Sequence, residues 1–310
     1  MDTKRLIITL TGVLTCITLL VIGVFYQLSK PTDKAVPAYS YVDATGQVHD
    51  VKPKDTAQHA QHAQSTPTSD EATSYNTANE ELQELWQSKM GASSWQLAIY
   101  DRNRKLTYQL SSTNAEPMTL ASVTKIGILG SYLTKFGNLE GSDKDLAEKM
   151  IRQSDNDSAQ TLYEKVGSQG VQKFYDTVGA TNTTVDTSHW GLTTSTAIDQ
   201  LMMLKSLYGD ASPVLDDAVT STLPDMMAQV ESDQRWGVGE MSDTTSLKNG
   251  WLPDDDGVHW TLNSVGEVSG KASTYDVVML THGLQYNEGI TTLNDLAEKT
   301  MTILESVAYK

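Results

Sequence analysis

The chain has 310 residues, of which 39% are hydrophobic, and a formal net charge of −16 at pH 7. This length and composition allow a sizeable core in one large domain or two smaller ones. The acidic balance argues against a nucleic-acid partner, because binding phosphate requires a basic face. Cys16 is the only cysteine and the six histidines are scattered, so we predict no disulfide framework and no metal site.

The first 30 residues contain an uncharged apolar run. Residues 6 to 28 would span about 34 Å as a helix, which is enough to cross the hydrocarbon core of a bilayer. Lys4 and Arg5 precede the run, so the positive-inside rule places everything after Lys30 outside the cell. A cleaved signal peptide is the alternative, but the run is long and no small-x-small site follows closely. We expect residues 1–30 to form an N-terminal transmembrane helix that anchors the chain in the cell membrane in a single pass.

Residues 31–75 differ in composition from the rest of the chain. They include the repeat "AQHAQHAQ" and offer few side chains that could bury apolar surface, which predicts a disordered polar linker. The ordered domain is expected to span residues 76–310. It opens with a helix in "NTANEELQELWQSKM", where a cap and early glutamates precede Leu82, Leu85 and Trp86 on one stripe.

Strand and helix patterns alternate through the ordered domain. A hairpin is predicted from strands at 95 to 100 and 106 to 110. Several helical patterns follow between 122 and 208, strands return after 248, and a last helix is predicted from 291 to 308. Strands from both ends of the domain can join in one sheet. We therefore predict an α+β fold in which an antiparallel sheet flanked by helices lies beside an all-helical subdomain.

Three short motifs occur within this domain. In "ASVTK", Ser122 and Lys125 would share one face of a helix, so a neutral lysine amine could accept the proton of an attacking hydroxyl. The second motif is "SDN" at 154 to 156, and the third is "KNG" at 248 to 250, at the start of a strand. Each motif alone has an ordinary interpretation: Ser122 or Ser154 could cap a helix, and Lys248 could be an exposed strand lysine.

Together and in this order, the three motifs resemble the signature of class A β-lactamases and the related penicillin-binding serine peptidases: Ser-x-x-Lys, then Ser-Asp-Asn, then Lys-Thr-Gly. The resemblance covers about residues 76 to 310. "TTSTAIDQLMMLKSL" is similar to the helix start that follows the family's omega loop, and "NGWLPDDDGVHWTLNSVGEV" is similar to its catalytic-strand hairpin. The resemblance implies the fold of the serine β-lactamases and D-alanyl peptidases.

The resemblance also implies catalytic roles. Ser122 would attack an amide or β-lactam carbonyl, and Lys125 would be its base once burial or the nearby Lys248 lowers the lysine pKa. Ser154 would relay a proton to the departing nitrogen. These steps require no cofactor.

Substrate binding is implied for four further positions. Asn156 would hold a substrate amide or the base, and Asn249 would join Lys248 in attracting a substrate carboxylate. Gly250 would let the substrate approach the strand closely. The backbone N–H of Trp251 would complete the oxyanion hole with that of Ser122.

The sequence departs from the family in three places. The omega-loop region, "TTVDTSHWGLTTST", lacks the glutamate that activates the hydrolytic water in class A β-lactamases, and Asp186 or His189 are the alternative bases. Asn249 stands where the family has Thr or Ser. The segment between Ser122 and Ser154 is short, so part of the cleft wall is expected to be missing.

These features predict an extracytoplasmic, membrane-tethered serine hydrolase of the class A β-lactamase type, as a monomer. Its partner is a β-lactam or an amide of a peptidoglycan stem peptide, which acylates Ser122, and deacylation is expected to be slow. The alternatives are a D-alanyl-D-alanine peptidase or transpeptidase, a sensor that traps a β-lactam or peptidoglycan ligand without turnover, and an inactive scaffold at the wall.

Overall fold

The computed structural model describes residues 39–42, 48–51, 69–112, 116–211 and 215–307, all within one compact unit. The predicted transmembrane helix at residues 1–30 lies outside these described residues. None of the helices in the described part has the length and hydropathy needed to cross a bilayer.

A seven-stranded sheet forms the centre of the domain, with strand order β2-β1-β4-β3-β9-β8-β7. Neighbouring strands are antiparallel except β1 and β4, which pair in parallel at one residue, Val42 against Tyr108. A separate pair, β5 and β6, joins two short segments. The strands are β1 Tyr39–Val42, β2 Val48–Val51, β3 Ser94–Asp101, β4 Leu106–Ser111, β5 Met118–Thr119, β6 Thr194–Ser195, β7 Thr245–Pro253, β8 Trp260–Ser269 and β9 Thr274–Leu284.

Helices cover both faces of this sheet. Strand β3 shows why: Leu97 and Ile99 belong to the core that includes α1 and α7, whereas Ala98 and Tyr100 belong to the core formed with helices α2 to α6, as the two-residue period of a strand requires. The helices are α1 Ser69–Met90, α2 Thr124–Phe136, α3 Ser142–Arg152, α4 Asn156–Thr177, α5 Ala197–Leu207, α6 Asp217–Ala228 and α7 Tyr286–Ser306. The predicted α+β fold, with its antiparallel sheet, flanking helices and helical block, is confirmed.

The range 31–75 is not a linker throughout. Strands β1 and β2 lie inside it, and α1 begins at Ser69 rather than near residue 76. Tyrosine and valine, which favour strands, make up three of the four residues of "YSYV" and two of the four of "VHDV". Strand β1 pairs with β4 at the edge of the sheet.

Helix α7 also begins earlier than predicted, at Tyr286 rather than residue 291. Gly289 lowers the helical propensity of this first part, which explains the later predicted start. A Cβ at Gly289 would lie 2.5 Å from Leu262 Cδ1. The glycine therefore allows α7 to pack closely on strand β8.

Candidate active site

Ser122 lies in a 3₁₀ turn, Ala121–Val123, directly before α2. The Ser122 side chain is almost buried, with 9% of its surface exposed. Ala121 has a φ of +50°, a conformation that is strained for a residue with a Cβ. Such strain is typical of functional sites, and here it sets the direction in which the chain enters the serine turn.

Strand β7 presses against this turn at Gly250. A Cβ at that position would lie 2.5 Å from Leu120 O and 2.9 Å from Ser122 N. These are backbone atoms, so no side-chain rotation could relieve the clash. The glycine of the third motif is therefore required for the approach of β7 to the serine turn, a requirement that is separate from the predicted approach of a substrate.

The Lys125 amine contacts the hydroxyl of Ser122, as the spacing of the first motif predicts. Lys125 is fully buried, and its Nζ lies 2.9 Å from Ser122 Oγ. The same Nζ lies 2.6 Å from Ser154 O and 3.0 Å from Ser154 Oγ, and it donates to Asn156 Oδ1 at 2.8 Å. In this structure Asn156 holds the lysine, which is one of its two predicted roles.

A single hydroxyl joins the two lysines of the motifs. Ser154 Oγ lies 3.0 Å from Lys125 Nζ and 2.9 Å from Lys248 Nζ. Lys248 is fully buried as well and also donates to Asn249 O at 3.0 Å. Because two adjacent buried ammonium groups would repel each other, this arrangement favours a neutral amine on at least one lysine.

The pKa values of both lysines are lowered, chiefly because burial penalises the ammonium. Burial lowers the pKa of Lys125 to about 7, and the carboxylate of Asp155 opposes this shift. Burial, followed by the charge of Lys125, lowers the pKa of Lys248 well below its usual range. Of the two expected causes of the lowered Lys125 pKa, burial or the charge of Lys248, burial is therefore the one that lowers it.

Asp155, the middle residue of the second motif, acts on the Lys125 pKa although the motif alone assigns it no role. Its side chain accepts the Ser158 N–H at 2.7 Å and so caps α4. Hydrogen bonds from Ser158 lower the pKa of this carboxyl group, which favours its ionised form. The N-terminus of α4 thus places a negative charge near Lys125.

The side chain of Asn249 points toward the loop before β7. Its Nδ2 donates to Gln234 O at 3.0 Å and to Trp236 O at 2.9 Å, and the residue is fully buried. These two bonds use both N–H groups of the amide, so in this conformation neither is left for the predicted carboxylate contact. Trp251 packs edge-on against Trp236, with ring centroids 6.3 Å apart; its predicted oxyanion role uses only the backbone N–H.

Asp186 and His189 are both engaged within their own loop. Asp186 Oδ1 accepts the backbone N–H of Ser188 at 2.8 Å and that of His189 at 2.9 Å. His189 Nδ1 accepts the Gly191 N–H at 3.1 Å. Among the described residues, no hydrogen bond joins either side chain to Ser122 or Lys125.

Trp190 is the site residue that the sequence did not reveal. It starts the 3₁₀ turn Trp190–Leu192, is 4% exposed, and its ring centroid lies 4.9 Å from Lys125 Nζ. A tryptophan in "SHWGL" carries no local signal of this contact, because the contact depends on how the loop packs. In the described part of the chain, no group of three or more His, Cys, Asp or Glu side chains could hold a metal ion.

The fold and the serine with its two lysines define the class of serine β-lactamases and penicillin-binding enzymes. The sequence model of the Beta-lactamase enzyme family matches residues 137–304, more than half of the chain, and the chain belongs to this family. The match begins after the first motif, so the placement of Ser122 and Lys125 rests on the geometry above. No curated protein sequence matches the chain.

Solved structures show the same fold. A class A β-lactamase from Bacteroides cellulosilyticus has a TM-score of 0.61 at 14% identity, covering 74% of this chain and 99% of that one. PBP-A has a TM-score of 0.60 at 15% identity, covering 74% of this chain and 96% of that one. A PBP-A mutant solved as an acyl-enzyme complex with penicillin G has a TM-score of 0.60 at 16% identity, with coverages of 74% and 96%.

Proposed function

We propose that the chain is an extracytoplasmic serine hydrolase that forms an acyl-enzyme on Ser122 with β-lactams or with amides of peptidoglycan stem peptides. The observation that carries the proposal is the contact between Lys125 Nζ and Ser122 Oγ at 2.9 Å. This contact joins the hydroxyl to an amine with a lowered pKa: burial lowers the pKa of Lys125 to about 7. A large fraction of the amine is therefore neutral at physiological pH.

The geometry supports an order of proton transfers. Lys125 takes the Ser122 proton as Oγ attacks the carbonyl carbon, and the backbone N–H groups of Ser122 and Trp251 stabilise the oxyanion. As the carbon–nitrogen bond breaks, Ser154 passes a proton to the departing nitrogen and is resupplied by an adjacent lysine. Lys248 attracts a carboxylate of the substrate, whose charge favours the ammonium form of this amine.

Intact-mass spectrometry tests this proposal directly. The full-length chain in detergent is mixed with penicillin G at pH 7.5 and followed over time beside the variant Ser122→Ala. We expect the wild type to gain the mass of the intact penicillin and the variant to gain nothing, because the C–N bond of the lactam opens without loss of atoms. A wild-type chain that stays unmodified while correctly folded would contradict the proposal.

Deacylation is proposed to be slow, because the omega-loop region lacks a glutamate and its Asp186 and His189 are engaged locally. Loss of a positioned general base costs about 10² to 10⁴ in rate. Slow deacylation by water favours a second candidate function, a D-alanyl-D-alanine peptidase or transpeptidase, whose acyl group passes to an amine. If the acyl group is not released at all, the protein is a non-turnover sensor. Release of D-alanine from a stem pentapeptide, with and without an added D-amino acid, separates these functions from a β-lactamase.

We also propose that the domain acts outside the cell, as a monomer tethered by the N-terminal helix. The support is the uncharged run at residues 6 to 28 behind Lys4 and Arg5. Cell fractionation and protease treatment of intact cells test the tether, and the mass of the detergent-solubilised chain tests the monomer. Recovery in the cytoplasmic fraction would contradict the location.

A further inference from the structure

Trp190 lies against the amine that serves as the base. Its ring centroid is 4.9 Å from Lys125 Nζ, and both residues are buried. The His189 ring stacks on the indole, with centroids 5.1 Å apart. The indole therefore packs against the amine of Lys125 itself.

Protein groups already occupy the polar surroundings of Lys125 Nζ. The amine contacts Ser122 Oγ, both Ser154 oxygens and Asn156 Oδ1, all within 3.0 Å. An amine or ammonium has only a few hydrogen-bonding positions, so a water molecule could reach it only at the expense of one of these contacts or of the indole. The indole cannot take the place of a base, because its N–H is a donor only.

Hydrolysis of an acyl-enzyme needs such a water. The water oxygen bonds to the carbonyl carbon, the bond from that carbon to Ser122 Oγ breaks, and a water proton passes to Oγ. The transfer requires a basic group beside the water. Asp186 and His189, the two candidate bases in the loop, are bound within that loop.

We propose that Trp190 is a positioning residue that keeps water away from Lys125 and from the acyl group on Ser122, and thereby makes the acyl-enzyme long-lived. The inference rests on the proposed acylation of Ser122. It assigns the slow deacylation to a specific apolar side chain, in addition to the missing glutamate.

The contact between the Trp190 ring and Lys125 Nζ also affects acylation. The charged and titratable groups around Lys125 are Asp155 at the start of α4, Lys248 on β7 and, stacked on Trp190, His189. Without the indole, water would solvate the ammonium and raise the Lys125 pKa toward its usual range, since burial is the main cause of its lowering. Acylation would then need a higher pH. A residue that only stabilises the fold, without shielding Lys125 from water, would not shift this pH dependence.

The test uses the full-length chain in detergent, with penicillin G as the probe. The variant Trp190→Ala should lose its penicillin adduct about tenfold faster than the wild type or more, and the midpoint of its acylation rate against pH should move upward by about one unit. Trp190→Phe, which keeps an apolar ring, should retain most of both wild-type values, whereas Trp190→Gln should behave like the alanine variant. Leu192→Ala is the matched control, since Leu192 lies in the same turn but is 43% exposed; it should change neither quantity.

Thermal unfolding of each variant shows whether it is folded. If Trp190→Ala is unfolded, the comparison of Trp190→Phe with Trp190→Gln decides the role of Trp190. Adducts of equal lifetime in the folded Trp190→Gln and Trp190→Phe variants, with the same pH midpoint, would overturn the role of Trp190 alone. Absence of any adduct on the wild type would instead overturn the proposed acylation of Ser122 and, with it, this inference.

Discussion

Lys125 and Lys248 are two buried amines that share one serine hydroxyl, Ser154 Oγ, at 3.0 and 2.9 Å. Burial lowers the pKa of both, so the site can hold one amine neutral at physiological pH without a metal or a second base. A substrate carboxylate beside Lys248 would favour its ammonium form. The substrate would thus help to distribute the protons, with the neutral amine next to Ser122 and the charged amine next to the carboxylate.

This distribution predicts the pH dependence of acylation. Lys125 acts as a base only when neutral, so the acylation rate should rise with pH through about 7 and should fall about tenfold per pH unit well below that value. Because the Asp155 carboxylate acts to raise the Lys125 pKa, Asp155→Asn should move the midpoint to lower pH. Stopped-flow or quenched acylation with penicillin G between pH 5 and 9 measures both.

The Asp155→Asn variant is a matched change, since asparagine can still accept the Ser158 N–H that caps α4. Asp155→Ala removes both the charge and the cap, and should therefore lower stability by about 1 kcal/mol in addition. A midpoint that stays at the wild-type value in the folded Asn variant would show that Asp155 does not influence the base.

At the scale of elements, three segments bring the site together. The 3₁₀ turn before α2 carries Ser122, the N-terminus of α4 follows Ser154, and strand β7 carries Lys248. Ser154 has a φ of +57°, so the chain turns sharply before α4 and directs both Ser154 oxygens at Lys125. Strand β7 approaches the serine turn so closely at Gly250 that a Cβ there would clash with backbone atoms of the turn.

Gly250→Ala tests this approach. Its Cβ would lie 2.5 Å from Leu120 O, so β7 or the serine turn must shift, which should cost about 1 to 3 kcal/mol of stability and about 10²-fold or more in acylation rate. Gly170→Ala in α4 is the control, because its nearest contact is the movable Ser131 Oγ at 3.2 Å. Removing a helix glycine should leave stability equal or raise it by up to about 1 kcal/mol. Equal melting temperatures and acylation rates for Gly250→Ala and wild type would contradict the steric argument.

The sequence predicted most of the elements but only part of the site. The hairpin of β3 and β4 and the helical block were predictable because their periodicity is local. The contact of Ser122 with Lys125 follows from their spacing on one helical face. The position of Trp190, the orientation of Asn249 and the steric need for Gly250 depend on distant segments of the chain, which local patterns do not encode. The early strands were missed because the polar composition around them outweighed their few strand-favouring residues.

At the scale of the whole molecule, a partly buried charged cluster lies beside the sheet and is formed by groups other than Lys125 and Lys248. Arg102 on the β3–β4 turn pairs with Asp210 at 2.6 Å and with Glu267. Lys205 of α5 is buried with its Nζ 3.8 Å from the centre of the Tyr100 ring. Asp276 of β9 is fully buried beside these groups, and neither of its carboxylate oxygens has a hydrogen-bond partner among the residues that the structure describes. Burial raises the pKa of Asp276 to about 8, although Arg102 opposes the shift.

This carboxyl group should make the stability of the folded domain depend on pH. Its pKa is about 8 when folded and about 3.9 when unfolded, so between these values unfolding releases a proton and stability falls as the pH rises. The loss attributable to Asp276 is at most about 1.4 kcal/mol per pH unit. Asp276→Asn has no proton to release. Its melting temperature should therefore rise relative to that of the wild type as the pH is raised from 5 to 8.

Asp255→Asn, which changes an exposed turn carboxylate, controls for the loss of one charge. A constant difference between Asp276→Asn and wild type across this range would show that Asp276 is ionised in the folded state, with Arg102 and Lys205 compensating its burial.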